Sequence, residues 1–264
     1  MNRGPFSVLI STYYKDDSKQ LKNSLDSIIH QSVLPGEIVL IKDGPLTNDL
    51  NKVIEDFDIQ YSFFKIITLP VNKGLGNALA IGLEECSYEL VARMDADDIS
   101  KYDRFEKQLQ IFQQFPDIDV VSAWIEEFED NISNIISIKK LPEYHGDIYK
   151  YAKKRCPVNH PVVMFKKQSV INSGNYVNFP LFEDYFLWIR MLQKGAKFYN
   201  IQESLLYFRF SPAMFKRRGG IKYAFREIDF QKEIWQRSFT SFPVFLVISL
   251  FVFWLGLYLI ILEH

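Results

Sequence analysis

The tightest constraint on this chain is an alternation in its first half: short apolar runs rich in β-branched residues are separated by segments of helical periodicity. The runs SVLISTY, EIVLIK, FKIITL and ELVARM have strand length, and between them 19–30, 50–57 and 74–85 read as helices. Each intervening segment is long enough to carry the chain back to the same end of a parallel sheet, and such crossovers are almost always right-handed. The pattern therefore predicts an α/β fold, a mostly parallel Rossmann-like sheet flanked by helices. With 264 residues, 48% of them apolar, there is material for a substantial core. A further helix is expected over 102–115, where Phe105, Leu109 and Phe112 repeat at helical spacing. Ser100 and Asp103 stand where a capping box would open it.

The second half is less regular. VVSAWIEEF reads as a strand, the Asp130-Asn131 pair as a turn, and 135–138 as a second strand. HPVVMF is expected to be a strand, 183–194 a helix with Phe186, Ile189 and Leu192 on or near one face, and LLYFRF a closing strand. The division near residue 130 is soft, because both halves are expected to share one sheet.

Composition excludes several roles. A net charge of −1 argues against a general nucleic-acid binder, which needs a basic excess to neutralise phosphates. Cys86 and Cys156 have no metal-ligand spacing, so neither a disulfide framework nor a zinc site is expected, and a reducing compartment fits. The first apolar run is too short for a signal peptide. At the other end, 243–262 is twenty residues without a charge, a length that matches a bilayer core of about 30 Å. Upstream stand Lys216, Arg217, Arg218, Lys222 and Arg226, which would face the cytoplasm under the positive-inside rule. This predicts a transmembrane helix over 243–262 preceded by a basic, aromatic membrane-proximal helix over 213–242. A buried hairpin or a dimerisation helix is the other use for such a run.

The sharpest chemical signal is Asp95-Ala96-Asp97-Asp98, directly after ELVARM. Carboxylates this close repel one another and resist desolvation unless a cation sits among them. Mg²⁺ or Mn²⁺ takes one or two protein carboxylates and completes its shell with phosphate oxygens, so the turn suits a diphosphate. Taken alone, it reads more readily as a solvated acidic loop than as a metal site. Its place at the carboxyl end of a central strand, where open parallel sheets bind ligands, favours the cation. The first strand ends in Ser11-Thr12-Tyr13-Tyr14 and the second in Lys42-Asp43-Gly44, bringing a ring and a carboxylate to the same edge. Asn72-Lys73-Gly74-Leu75-Gly76 opens a helix, and helix N-termini attract anions.

In this order, SVLISTYY, EIVLIKDG, NKGLGNALAIGL and ARMDADDIS…RFEKQL resemble the nucleotide-sugar domain of the family 2 glycosyltransferases with the GT-A fold. CPVNHPVVMFKKQSVINSGNY and FEDYFLWIRML resemble the acceptor half of the bacterial members that build capsule, exopolysaccharide or O-antigen chains. The resemblance covers about residues 6–210. It implies a nucleotide-sugar-binding half over 1–130 and an acceptor-binding half over 131–212. It also implies that Thr12 and Tyr13 line the base pocket, Asp43 recognises uracil or another base, and Lys73 and Gly74 lie along the nucleotide. Asp95 and Asp97 match the family's D-x-D, with Asp97 the direct metal ligand, and Asp184 of the Glu183-Asp184 pair matches the catalytic base. Glu183 and His160 are candidate contacts to acceptor or diphosphate. The implied activity is an inverting, metal-dependent transfer from a UDP-sugar to a glycan or lipid-linked acceptor, at the cytoplasmic face of a bacterial inner membrane. Lys42 replaces the first aspartate that many members carry there, and no Q-x-x-R-W motif is present, so one sugar is added per encounter. A sugar-phosphate nucleotidyltransferase and a silent nucleotide-sugar-binding adaptor are the competing readings, and the sequence leaves oligomeric state open.

Overall fold

A computed structural model of the chain describes residues 3–210 and 220–262, with the side chains of 4–210 and 223–254. Strands β1 (Arg3–Thr12), β2 (Leu34–Lys42), β3 (Phe64–Thr68) and β4 (Leu90–Asp95) pair in parallel, in the order β3-β2-β1-β4. Helices α1 (Ser18–Ile29), α2 (Asn48–Gln60) and α3 (Leu75–Glu85) make the crossovers. Strand side chains alternate between two cores, as a sheet covered on both faces requires. Val8, Ile10, Ile38 and Leu40 pack with Leu21 and Leu25 of α1 and Ile54 of α2, whereas Leu9, Val39 and Ile41 meet Leu79 and Leu83 of α3. α3 lies unusually close to the sheet: a Cβ on Gly82 would come within 2.5 Å of Leu9 and 2.8 Å of Ile41.

Beyond β4 come β5 (Ile99–Ser100), α4 (Arg104–Gln114), β6 (Val120–Phe128), β7 (Ile135–Lys139), α5 (His145–Tyr151), β8 (Met164–Lys166), α6 (Lys167–Asn172), α7 (Glu183–Gln193) and β9 (Phe198–Arg209). One sheet continues through them in the order β4-β8-β6-β9-β5, with β7 on β6. β8 is antiparallel to β4 and to β6, so the two halves of the chain are joined by a three-residue strand. Most of the expected HPVVMF strand is instead a 3₁₀ turn over His160–Val162 followed by β8. Pro161 explains this, since its ring fixes φ and supplies no N–H for a ladder.

The expected capping box does not form. Ser100 lies in β5, where its hydroxyl accepts from Arg104 Nη1 at 2.9 Å, and Asp103 makes no cap bond but pairs with Lys107 at 2.8 Å. The fully buried Arg104 takes the hydroxyl because it must satisfy its donors: it also donates to the Arg93 carbonyl at 2.6 Å and reaches Gln108 at 3.2 Å.

The chain continues as α8 (Gly220–Gln236) and α9 (Phe242–Leu262). Much of the basic cluster, Lys216 to Arg218, lies outside the described residues. Phe230 of α8 inserts beside α7, stacked on Phe182 at 4.7 Å and close to Tyr185 at 4.7 Å. The transmembrane expectation finds no support among the described residues, where no helix is long and apolar enough to cross a membrane. A helix does form over the apolar run, and its residues 255–262 lie outside those whose side chains are described.

Candidate functional site at the carboxyl edge of the sheet

Register places the three signal-bearing strand ends side by side, Ser11 opposite Asp95 and Thr12 opposite Lys42. The Asp43 N–H then donates to the Thr12 carbonyl at 2.8 Å. The buried Thr12 hydroxyl donates to Asp16 at 2.9 Å, and the Tyr13 N–H donates to the same carboxylate at 3.0 Å. Burial, opposed in part by these two bonds, pushes the Asp16 carboxyl up to about 6. Tyr13 is half-buried and packs edge-on to the exposed Tyr14, with centroids 5.7 Å apart.

Asp43 is buried, and its two carboxylate oxygens accept the backbone N–H groups of Lys73 at 2.7 Å and Gly74 at 3.1 Å. The anion held ahead of α3 is therefore the chain's own Asp43, in the position that the helix dipole favours. Those two amides are not open to a phosphate. The exposed Lys73 side chain is the cation that remains on this rim.

The acidic turn gathers Asp95, Asp97 and Asp98, whose carboxylate oxygens lie within 4.8 Å of one another. Arg93, buried in the strand below, pairs with Asp95, while its Nε and Nη1 have no hydrogen-bond partner. Asp97 is exposed as a residue, yet protein crowds its carboxyl. That desolvation, joined by the charges of Asp95 and Asp16, raises it to about 7. Asp98 is fully buried; burial and the charges of Asp97 and Asp95 raise its carboxyl well above the ordinary value. One Asp98 oxygen accepts the Arg209 N–H at 2.8 Å and the other has no partner. An orphaned buried carboxylate oxygen among like charges is the donor set that a hard divalent cation satisfies, so these residues fit Mg²⁺ or Mn²⁺.

Arg209, at the end of β9, clasps this turn from behind. Its Nε donates to the Asp97 carbonyl at 3.0 Å, its Nη1 to the Glu129 carbonyl at 3.1 Å, and its guanidinium lies 4.6 Å from the Phe128 ring centroid. Sequence reading missed Arg209 and Asp16. A cation closing the last strand of LLYFRF, and an acid four residues after Thr12, were their available signals.

Glu183 and Asp184 occupy the first turn of α7, where the dipole favours acids. α3 sets the position of this turn: a Cβ on Gly76 would stand 2.7 Å from the Val177 carbonyl oxygen and 3.0 Å from Glu183 Cγ. Burial raises the Glu183 carboxyl. The Cys156 thiol lies 3.4 Å from the Val158 carbonyl and 3.7 Å from Asp184, with one proton to donate between them, and is kept protonated because burial and the Asp184 charge push it well up. His160 is buried, against the Trp188 ring at 5.8 Å and with Nε2 2.9 Å from the Tyr176 hydroxyl. Burial and the Arg93 charge hold its pKa well below the usual range, so the imidazole is neutral. Any influence of His160 on a substrate would pass through Tyr176. Burial, joined by the charges of Asp184 and Asp95 and opposed by that of Arg93, raises the Tyr176 hydroxyl.

The comparisons bear on the family and the fold. The model of the family described as glycosyl transferase family 2 matches residues 7–172. An Escherichia coli UDP-Gal:alpha-D-GlcNAc-diphosphoundecaprenol beta-1,3-galactosyltransferase is 43% identical over 242 residues, covering 92% of this chain and 87% of that protein. The amylovoran biosynthesis glycosyltransferase AmsE of Erwinia amylovora is 36% identical over 225 residues, covering 84% and 83%. Among solved structures, the Pyrobaculum calidifontis mannosyltransferase PcManGT, in complex with GDP-Man and Mn²⁺, superposes with a TM-score of 0.65 at 14% identity, covering 96% of this chain and 70% of that one. It shares the fold. A sheet edge that gathers Asp43, Asp95 and Asp97, a matching family model over most of the sheet, and relatives at this identity assign the chain to glycosyl transferase family 2, as a glycosyltransferase of the GT-A type.

Proposed function

We propose that the chain transfers a sugar, with inversion, from a UDP-sugar to a lipid-linked glycan acceptor at the cytoplasmic face of the membrane, in bacterial surface polysaccharide synthesis. The observation that carries this reading is the clustered Asp95-Asp97-Asp98 carboxylates at the end of β4, together with the Glu183-Asp184 pair that opens α7 where Glu183 abuts Gly76 of α3. Asp97 and Asp95 would hold Mn²⁺ or Mg²⁺, which when bound would supply Lewis-acid neutralisation of the departing diphosphate. Thr12 and Tyr13 line the base pocket, with Asp43 presenting its carboxylate at the same edge. Lys73 reaches along the nucleotide beside Gly74. Asp184 takes the proton from the attacking acceptor hydroxyl, and attack from the face opposite the leaving group inverts the anomeric centre. Cys156 lies 3.7 Å from one Asp184 oxygen, and Glu183 stands beside Asp184 to contact the acceptor. The UDP preference and the lipid-linked acceptor follow the substrate named for the E. coli relative.

The test is Asp184→Asn. Release of UDP from UDP-sugar in the presence of acceptor should fall by about 10²–10⁴-fold, the usual contribution of a general base. Thermal stabilisation by UDP with Mn²⁺ should stay near that of the unchanged protein. Turnover within a few-fold of the unchanged protein would remove Asp184 from its role. Release of pyrophosphate instead of UDP would favour a nucleotidyltransferase.

A further inference from the structure

We infer that α8 and α9 form a monotopic anchor, a hairpin lying flat on the bilayer with one face of α9 sunk into the headgroup and acyl boundary, so that α9 does not span. This rests on the membrane reading above and specifies how the chain meets the lipid. α9 presents Val247 at 66%, Phe251 at 67% and Trp254 at 69% exposure, spaced as one stripe of a helix, with Leu250 beside them at 51%. No charged residue occurs between 242 and 254. The opposite side of α9 is occupied: Val252 is buried, Phe245 stacks on Trp235 at 5.2 Å, and Phe253 meets Phe225 at 6.4 Å.

Those two ring contacts lie toward opposite ends of α8 and hold the helices side by side over about 15 Å. α8 carries six charged residues, Lys222, Arg226, Glu227, Asp229, Lys232 and Glu233. Its other side is fixed to the catalytic domain through Phe230 and through Gln193, which donates to the Arg237 carbonyl at 2.7 Å. A spanning α9 would draw these charges, and the domain behind them, into hydrocarbon that cannot solvate them. An in-plane α9 leaves them in water and buries only the uncharged stripe, with Trp254 at the depth that suits its ring. The occupant of the stripe is therefore lipid, the phase in which a diphosphoundecaprenol acceptor like that named for the E. coli relative resides. Stacked in this way, α9, α8 and α7 set Asp184 two helix layers above the lipid, about 16–20 Å at ordinary interaxial distances.

The experiment uses the full chain with vesicles of phosphatidylethanolamine and phosphatidylglycerol, and the triple variant V247E/F251E/W254E. The unchanged protein should float with the vesicles and the variant should lose at least ten-fold in bound fraction, while UDP with Mn²⁺ stabilises both to the same extent. That last readout separates failure of the anchor from failure of the donor-site reading. An epitope added after His264 should be digested by protease applied from the side that carries the catalytic domain. Protection of the epitope would overturn the inference in favour of a span. Failure of the unchanged protein to float would overturn it too, as would conversion of a dimer to a monomer by the triple variant without loss of flotation.

Discussion

Asp98→Asn separates what the acidic turn costs the fold from what it offers a cation. Two unit charges no more than 4.8 Å apart repel by at least about 3.5 kcal/mol at an effective dielectric constant of 20. In the metal-free protein the cluster relieves part of this by holding protons, as the raised carboxyls of Asp97 and Asp98 show. The asparagine oxygen can accept the Arg209 N–H as the carboxylate does, and its amide would stand where an orphaned oxygen now points at like charges. Stability in chelator should rise by about 2 kcal/mol, roughly 4–8 °C in Tm for a chain of this size. The sign with pH follows from the direction of the shifts. A carboxyl whose folded pKa is raised takes up a proton on folding once the unfolded chain is ionised, so stability falls as pH climbs from about 4 toward 7. The gap between variant and unchanged protein should open across that window. In differential scanning fluorimetry with Mn²⁺ and UDP the order should narrow or reverse, because the variant offers the cation one charge fewer. A variant that melts below the unchanged protein in chelator at pH 7.5, or that gains as much from Mn²⁺, would refute the reasoning.

Gly76→Ala should push on the Val177 carbonyl and Glu183, costing about 1–3 kcal/mol by chemical denaturation and lowering kcat more than the donor KM. Phe230→Ala should remove about 3–5 kcal/mol of packing against Phe182 and Tyr185, read as a fall in Tm. Mn²⁺ must displace protons from Asp97, so its apparent affinity by isothermal titration should weaken progressively below about pH 7, with proton uptake by the buffer. His160 should titrate by NMR with a midpoint well below the ordinary histidine value, since burial and Arg93 both oppose its charging; a midpoint near the ordinary value would contradict the placement of its ring.

The features legible in the sequence were those written locally. Strands β1 to β4 and their crossovers follow from period-two and period-3.6 patterns a few residues long, and Asp95-Ala96-Asp97-Asp98 declares itself by adjacency. Distant partners were not legible. Arg209 meets Asp98 across 111 residues, and Asp43 meets Gly74 across 31, both through backbone N–H groups, which carry no residue signature. The failed capping box is a case of tertiary override: Ser100 and Asp103 have the right spacing, but the buried Arg104 needed the hydroxyl more. The apolar run at 243–262 showed its hydrophobicity, whereas its pairing with α8 depends on rings ten to twenty-eight residues apart that only the folded hairpin brings together.

The double duty of Asp43 limits how this enzyme could change its nucleotide. The carboxylate proposed to meet the base also ties the β2 turn to the start of α3, so any replacement that shortens or neutralises it would loosen the rim before it altered selectivity. Drift toward a different base is consequently cheaper through the other residues of this edge than through Asp43. Evolution at this edge should leave the scaffold acid alone and edit the walls around it.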